Sequence, residues 1–132
     1  MRTSPSNITT VSHDEVFVFG SNLSGKHGRG AAKQALKWGA KWGKGVGLQG
    51  RTYGIPTKNA SIKTMSIAEI KPFVYEFIRF AIDNDMLDFL VTEIGCGLAG
   101  YEPKDIAPLF EEALDIPNIY LPERFIKELT KL

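Results

Sequence analysis

Short β-branched or aromatic runs alternate along this chain with segments whose apolar residues recur at helical spacing. Glu15-Val16-Phe17-Val18-Phe19 ends at Gly20 and predicts a buried strand. Ala31 to Trp38 is rich in helix formers, with Ala31, Ala35 and Trp38 on one face and Ala32 and Leu36 beside it. The small alanines predict close packing against a sheet. Val46 to Gln49 predicts a short strand, and Arg51 to Pro56 another that Pro56 ends. Ser66-Ile67-Ala68-Glu69 has the form of a capping box, yet Pro72 disfavours helical geometry at Lys71, so regular helix is expected from near Pro72. Phe73, Phe77 and Phe80, joined by Val74, Ile78 and Ala81, then form its core face. Leu87 to Ile94 reads as a strand, Pro103 to Leu114 as a helix that Pro108 either kinks or makes start late, Asn118 to Leu121 as a last strand, and Pro122 to Leu132 as a terminal helix.

This order predicts an α/β fold: a three-layer sandwich with a mixed, mostly parallel sheet and helices on both faces. At 132 residues one domain is expected, with residues 1–13 as a flexible N-terminal arm and 14–132 as the folded unit. In such sheets ligands gather beyond the carboxyl ends of strands. Two glycine-rich loops follow strands, Gly20 to Gly30 and Gly95 to Tyr101. If their strands are parallel neighbours, both loops share one rim.

Composition narrows the classes. Apolar residues make up 43% of the chain, ordinary for a globular protein, and no apolar run approaches the roughly 20 residues that cross a bilayer. Met1 to Ser12 lacks the apolar core of a signal peptide, so a cytoplasmic protein without membrane contact is expected. A net charge of +1 supplies no bulk argument for DNA or RNA, and no nucleic-acid partner is expected. Cys96, the single cysteine, excludes an internal disulfide and a cysteine-built zinc site. His13-Asp14-Glu15 is dense in metal-ligand types, but neighbours on a strand point to opposite faces, so no metal site is expected, nor any cofactor.

The candidate chemistry centres on Leu90 to Pro103. Its apolar run ends in Gly95, Gly97 and Gly100, and Pro103 then opens a helix. Glycines let a ligand approach backbone N–H groups, and a helix N-terminus adds further donors, so a phosphate or diphosphate site is expected. The plain alternative is a tight turn. Gly20 to His27 nearly matches a P-loop, but His27 stands where the magnesium-binding Ser or Thr belongs, and Gly28 and Gly30 oppose a helix starting at Lys26. Asn22 suits either a ribose or water contact or an Asx-type turn. His27 is a candidate general base or phosphate contact, and otherwise a loop residue. Cys96, near the expected helix start, is either a nucleophile of lowered pKa or a small apolar plug. Lys26 and Arg29 suit phosphate pairing. Glu93 suits a water-activating base or a salt bridge. Trp38 and Trp42 suit base stacking, with core packing the alternative for Trp38, and Thr57-Lys58-Asn59 suits either the rim of the site or a plain loop.

These motifs resemble the macro domain family. Phe19-Gly20-Ser21-Asn22, Gly25 to Gly30 and Ala31-Ala32 match its strand, asparagine, glycine loop and alanine-containing helix. Ile94-Gly95-Cys96-Gly97-Leu98-Ala99-Gly100-Tyr101-Glu102-Pro103 matches its Gly-x-Gly-aromatic loop and proline-led helix, and Arg51 to Pro56 its middle strand. The resemblance spans about Val16 to Tyr120 and extends to small bacterial and phage proteins carrying Val-Phe-Gly-Ser-Asn and Ile-Gly-Cys-Gly. It implies a macro-like sandwich that binds ADP-ribose or a related nucleotide. Gly95, Cys96, Gly97, Leu98, Ala99, Gly100 and Tyr101 would cradle the diphosphate. Asn22 would sit near the distal ribose, with Gly28, Arg29 and Gly30 lining its other side, and Gly20 and Ser21 would also belong to the ligand site. The family's adenine-reading aspartate has no clear counterpart, and its Asn-Ala-Ala-Asn signature is reduced to Gly-Ser-Asn.

The leading expectation is therefore a domain that binds a phosphorylated nucleoside, with Asn22 or His27 positioning a water should it also hydrolyse the ligand. Reader and enzyme both stand open, as an ADP-ribosyl hydrolase or an ADP-ribose phosphatase. The alternatives are a cysteine-dependent hydrolase using Cys96 and His27, and an interaction module without a ligand.

Overall fold

In a computed structural model, residues 2–131 are described. Six strands, β1 (Thr3–Ser4), β2 (Glu15–Asn22), β3 (Gly47–Gln49), β4 (Thr52–Lys58), β5 (Asp88–Val91) and β6 (Ile119–Pro122), form one sheet in the order β1-β6-β5-β2-β4-β3. Every neighbouring pair is parallel except β3 with β4. The helices are α1 (Gly30–Ala35), α2 (Ile67–Asp83), α3 (Pro103–Ile106) and α4 (Glu123–Leu129), with 3-10 segments at Leu36–Trp38 and Ala107–Asp115. No helix among the described residues is long and apolar enough to cross a membrane.

The centre is β2, paired on both sides and apolar on both faces, as a covered parallel strand must be. Val16 and Val18 join one apolar cluster with Ile70, Val74 and Phe77 of α2 and Phe125 of α4. Phe17 and Phe19 point the other way, into a cluster with Ala32 and Ala35 of α1. The two faces thus carry separate helical layers. Burial of each such side chain contributes on the order of 2 kcal/mol.

Four expectations are corrected. The N-terminal arm is not loose: β1 pairs with β6, Ser4 Oγ donates to the Val91 carbonyl at 2.6 Å, and Ile8 and Val11 are buried. β4 runs through Pro56 to Lys58, because β3 pairs only with Thr52 to Gly54 and leaves Pro56 a neighbour on one side only. α2 starts at Ile67, not near Pro72. Ser66 and Glu69 form the complete capping box, and Pro72, already inside the helix, removes only the N–H that would reach the Ala68 carbonyl. The predicted Pro103–Leu114 helix is split, since Pro108 has no N–H for the Lys104 carbonyl and the chain continues as 3-10 turns.

Candidate functional site

β2 and β5 are adjacent and parallel, in register at Val18 and Val91, so the loops leaving both strands emerge on one rim. Between them lies a cavity of about 610 Å³. The first loop supplies Gly20, Ser21, Asn22, Lys26, Gly28, Arg29 and Gly30 to its wall, and the second Gly95, Cys96, Gly97, Leu98 and Ala99. The sheet therefore brings together most of the residues that the sequence singled out.

The first loop is closed by Asn22. Its Oδ1 accepts from the Lys26 N–H at 2.9 Å and the Ser24 hydroxyl at 2.8 Å, and its Nδ2 donates to the Lys26 carbonyl at 2.9 Å. This is the Asx-type turn, and it takes up most of the amide that was considered for a ribose or water. The segment from Ala40 to Gly45 braces the loop from behind. Gly43 N–H donates to the Gly25 carbonyl at 2.8 Å, and Ser21 Oγ donates to the Gly45 carbonyl. The backbones meet so closely that a Cβ on Gly45 would lie 1.9 Å from the Asn22 carbonyl oxygen.

His27 belongs to this brace and does not line the cavity. Its side chain is fully buried, edge-on to Phe19 with ring centres 5.4 Å apart. Nε2 lies 2.8 Å from the Lys41 carbonyl and 2.9 Å from the Lys44 carbonyl. Carbonyls only accept, so Nε2 carries the proton and donates to both. The expected roles as base or phosphate contact are corrected: the ring ties two loops together, and its Nδ1 is buried without a partner among the described residues.

The second loop turns at Gly95, whose φ is 77° and whose missing Cβ would stand 3.0 Å from Ile106 Cδ1. Gly100 and Tyr101, expected to touch ligand, do not line the cavity. They fasten the loop instead. Gly100 N–H donates to the Gly97 carbonyl at 3.1 Å, Tyr101 N–H to the Gly95 carbonyl at 2.9 Å, and the Tyr101 hydroxyl to the Met65 carbonyl at 2.5 Å. Between these fastenings the N–H groups of Gly97, Leu98 and Ala99 have no acceptor among the described residues. All three residues line the cavity.

The helix after this loop does not add the positive end that was expected. α3 has only four residues, its N-cap is Glu102, and Asp105 Oδ2 accepts from the Glu102 N–H at 2.9 Å. Positive charge comes from Lys26, Arg29 and Lys58 on the cavity wall. Glu93 also lines the wall, but both its oxygens accept from Arg124, which holds the carboxyl below the usual glutamate range. The Cys96 thiol is pushed up to about 11, first by burial and then by the charge of Glu93. The lowered thiol pKa that a nucleophile needs is therefore reversed, and Sγ instead points its proton at the Ile94 carbonyl at 3.5 Å.

Sequence reasoning missed Ala31, Ala32, Ile62 and Thr92 as wall residues. Ile62 sits in a turn built by Asn59, whose Oδ1 accepts from the Ser61 and Lys63 N–H groups, and it has a φ of 62°. A lone isoleucine in the polar run from Lys58 to Thr64 was the available signal.

Comparison of the chain with models of known protein families, with curated proteins and with solved structures found no match.

Proposed function

We propose that this cavity binds a phosphorylated nucleoside of the ADP-ribose kind, held mainly by backbone of the two glycine-rich loops in a macro-like arrangement. One observation carries the reading: the N–H groups of three consecutive residues on the cavity wall, Gly97 to Ala99, have no acceptor among the described residues. Gly97 and Leu98 are exposed and Ala99 is half-buried, so these donors are accessible to a ligand, and phosphate oxygens accept several such bonds at once. Lys26, Arg29 and Lys58 add charge of the right sign, and about 610 Å³ falls within the usual range for small-ligand sites. The macro resemblance of both loops supplies the nucleoside.

Binding is the activity proposed, rather than hydrolysis. A hydrolase would need a free proton acceptor beside the ligand. The Asn22 amide closes its own loop, the His27 ring is committed to two carbonyls, Glu93 is paired with Arg124, and Cys96 keeps its proton.

Thermal unfolding with ADP-ribose, ADP, AMP and their guanine and pyrimidine counterparts tests the reading. A ligand at 100 times its Kd adds about 2.7 kcal/mol of stability, a clear rise in Tm. A Cβ at Gly97 meets nothing within 4 Å, so Gly97→Leu folds and places its side chain in open space beside the N–H row, abolishing the rise. No rise with any compound at millimolar concentration overturns the proposal.

A further inference from the structure

The net charge of +1 averages two halves of opposite sign. Residues 16–68 contain nine lysines and arginines and no aspartate or glutamate; all fifteen acidic residues lie elsewhere. This stretch builds β2, α1, β3 and β4, so the basic half is one contiguous side of the sheet, running out to the β3 edge. Eight of its nine cations are exposed, and Lys58 is half-exposed. The four ion pairs among the described residues all involve other lysines and arginines, namely Lys104, Arg124, Lys127 and Lys131. Among the described residues none of the nine has a carboxylate partner. On the opposite face α2 packs on β4 and brings Glu76 near Tyr53, so the field is an excess of positive charge, and such an excess is the footprint of a polyanion.

Trp42 stands in the same stretch. Its indole is 63% exposed, although tryptophan is among the residues that gain most from burial. It forms part of the cavity rim and is steadied edgewise against the buried His27 ring, centres 6.3 Å apart. Lys41 and Lys44 flank it in sequence, and Lys33 and Lys37, four residues apart, follow one another along α1 and its 3-10 extension. Lysines for phosphates in the same half of the molecule as an open aromatic platform for a base is the combination that binds single strands, because only unpaired bases offer a free face.

We propose that the basic half, with Trp42 as its stacking platform, binds single-stranded nucleic acid. This goes beyond the cavity reading and does not depend on it. A fluorescein-labelled oligothymidylate of about 12 nucleotides, followed by anisotropy from about 50 to about 200 mM salt, tests it on the full chain. Binding that weakens with salt is expected. The triple variant Lys33→Gln, Lys37→Gln, Lys41→Gln should flatten the slope of log affinity against log salt by about 2, since each phosphate contact on a single strand contributes about 0.7. It should leave thermal stabilisation by cavity ligands unchanged, which separates this proposal from the previous one. Trp42→Ala, at an exposed position, should weaken oligomer binding about tenfold without changing the slope. Absence of binding at about 50 mM salt overturns the proposal. So does equal affinity for a duplex of the same length with no effect of Trp42→Ala. Binding to phosphatidylserine vesicles but not to the oligomer also overturns it, and makes the basic half a membrane surface.

Discussion

Arg124, in the first turn of α4, grips Glu93, just past the end of β5, with two parallel bonds: Nε to Oε2 at 2.8 Å and Nη2 to Oε1 at 2.5 Å. The pair ties the last helix to the entrance of the glycine loop and holds the Glu93 carboxyl below the usual value of 4.5. A depressed acid contributes stability that is present above its unfolded pKa and is lost as pH falls through its lower folded value. Arg124→Gln should therefore unfold at lower urea concentration than the parent at neutral pH. The difference should shrink as pH drops below 4.5 and the carboxylate takes up its proton. A difference that persists unchanged in acid would mean that Arg124 acts by packing alone. The effect is modest, because both side chains are substantially exposed to solvent.

Cys96 should be a slow nucleophile. With its thiol pushed up to about 11, little thiolate exists near neutrality, and the rate of alkylation by iodoacetamide should climb steadily as pH rises toward that value. The Arg124 charge works in the opposite direction, lowering the thiol's pKa, so Arg124→Gln should slow alkylation further at any fixed alkaline pH. Fast labelling that levels off near neutral pH would instead revive a cysteine-dependent hydrolase.

Two glycines beside the cavity should behave oppositely. Gly45→Ala drives a Cβ to 1.9 Å from the Asn22 carbonyl oxygen, and backbone on both sides must move. A loss of about 3 kcal/mol or more is expected in urea unfolding. Gly97→Ala meets open space at a φ that side chains adopt, and should change stability by less than about 1 kcal/mol. Comparable losses at the two positions would mean that the brace between Asn22 and Gly45 is not what shapes the first loop.

Much of this layout was legible in the sequence, for identifiable reasons. β2, β4, β5 and β6 lie in apolar or β-branched runs because both faces of the sheet are covered. The two glycine loops were legible as walls of one site because their strands are parallel neighbours. β1 was not legible: Thr3 and Ser4 have no apolar signal, and their place is set by the β6 edge and by Arg2, which donates to the Ile116 carbonyl at 2.7 Å. Which polar groups were already committed was not legible either. The hydrogen bonds of His27 reach carbonyls 14 and 17 residues away, and an acceptor common to every residue leaves no mark in a sequence.

His27 offers the sharpest test of that distinction. As a brace, its work is to donate from one buried nitrogen to two carbonyls. His27→Ala removes the ring from a fully buried site and leaves the Lys44 carbonyl without a donor among the described residues, while the Lys41 carbonyl keeps the Lys44 N–H at 3.0 Å. The combined cavity and unpaired-acceptor terms come to about 3 kcal/mol. His27→Gln keeps an N–H donor at similar reach, since the glutamine amide nitrogen can offer two protons where the imidazole offers one. It should restore most of the stability lost in His27→Ala and leave the ligand-induced rise in Tm intact. A base or a phosphate contact would give the reverse pattern, a Gln variant that is stable but inactive or unresponsive to ligand. The urea midpoint and the ligand-induced Tm shift, measured side by side on both variants, decide between a ring that acts on a ligand and a ring that holds the loop around it.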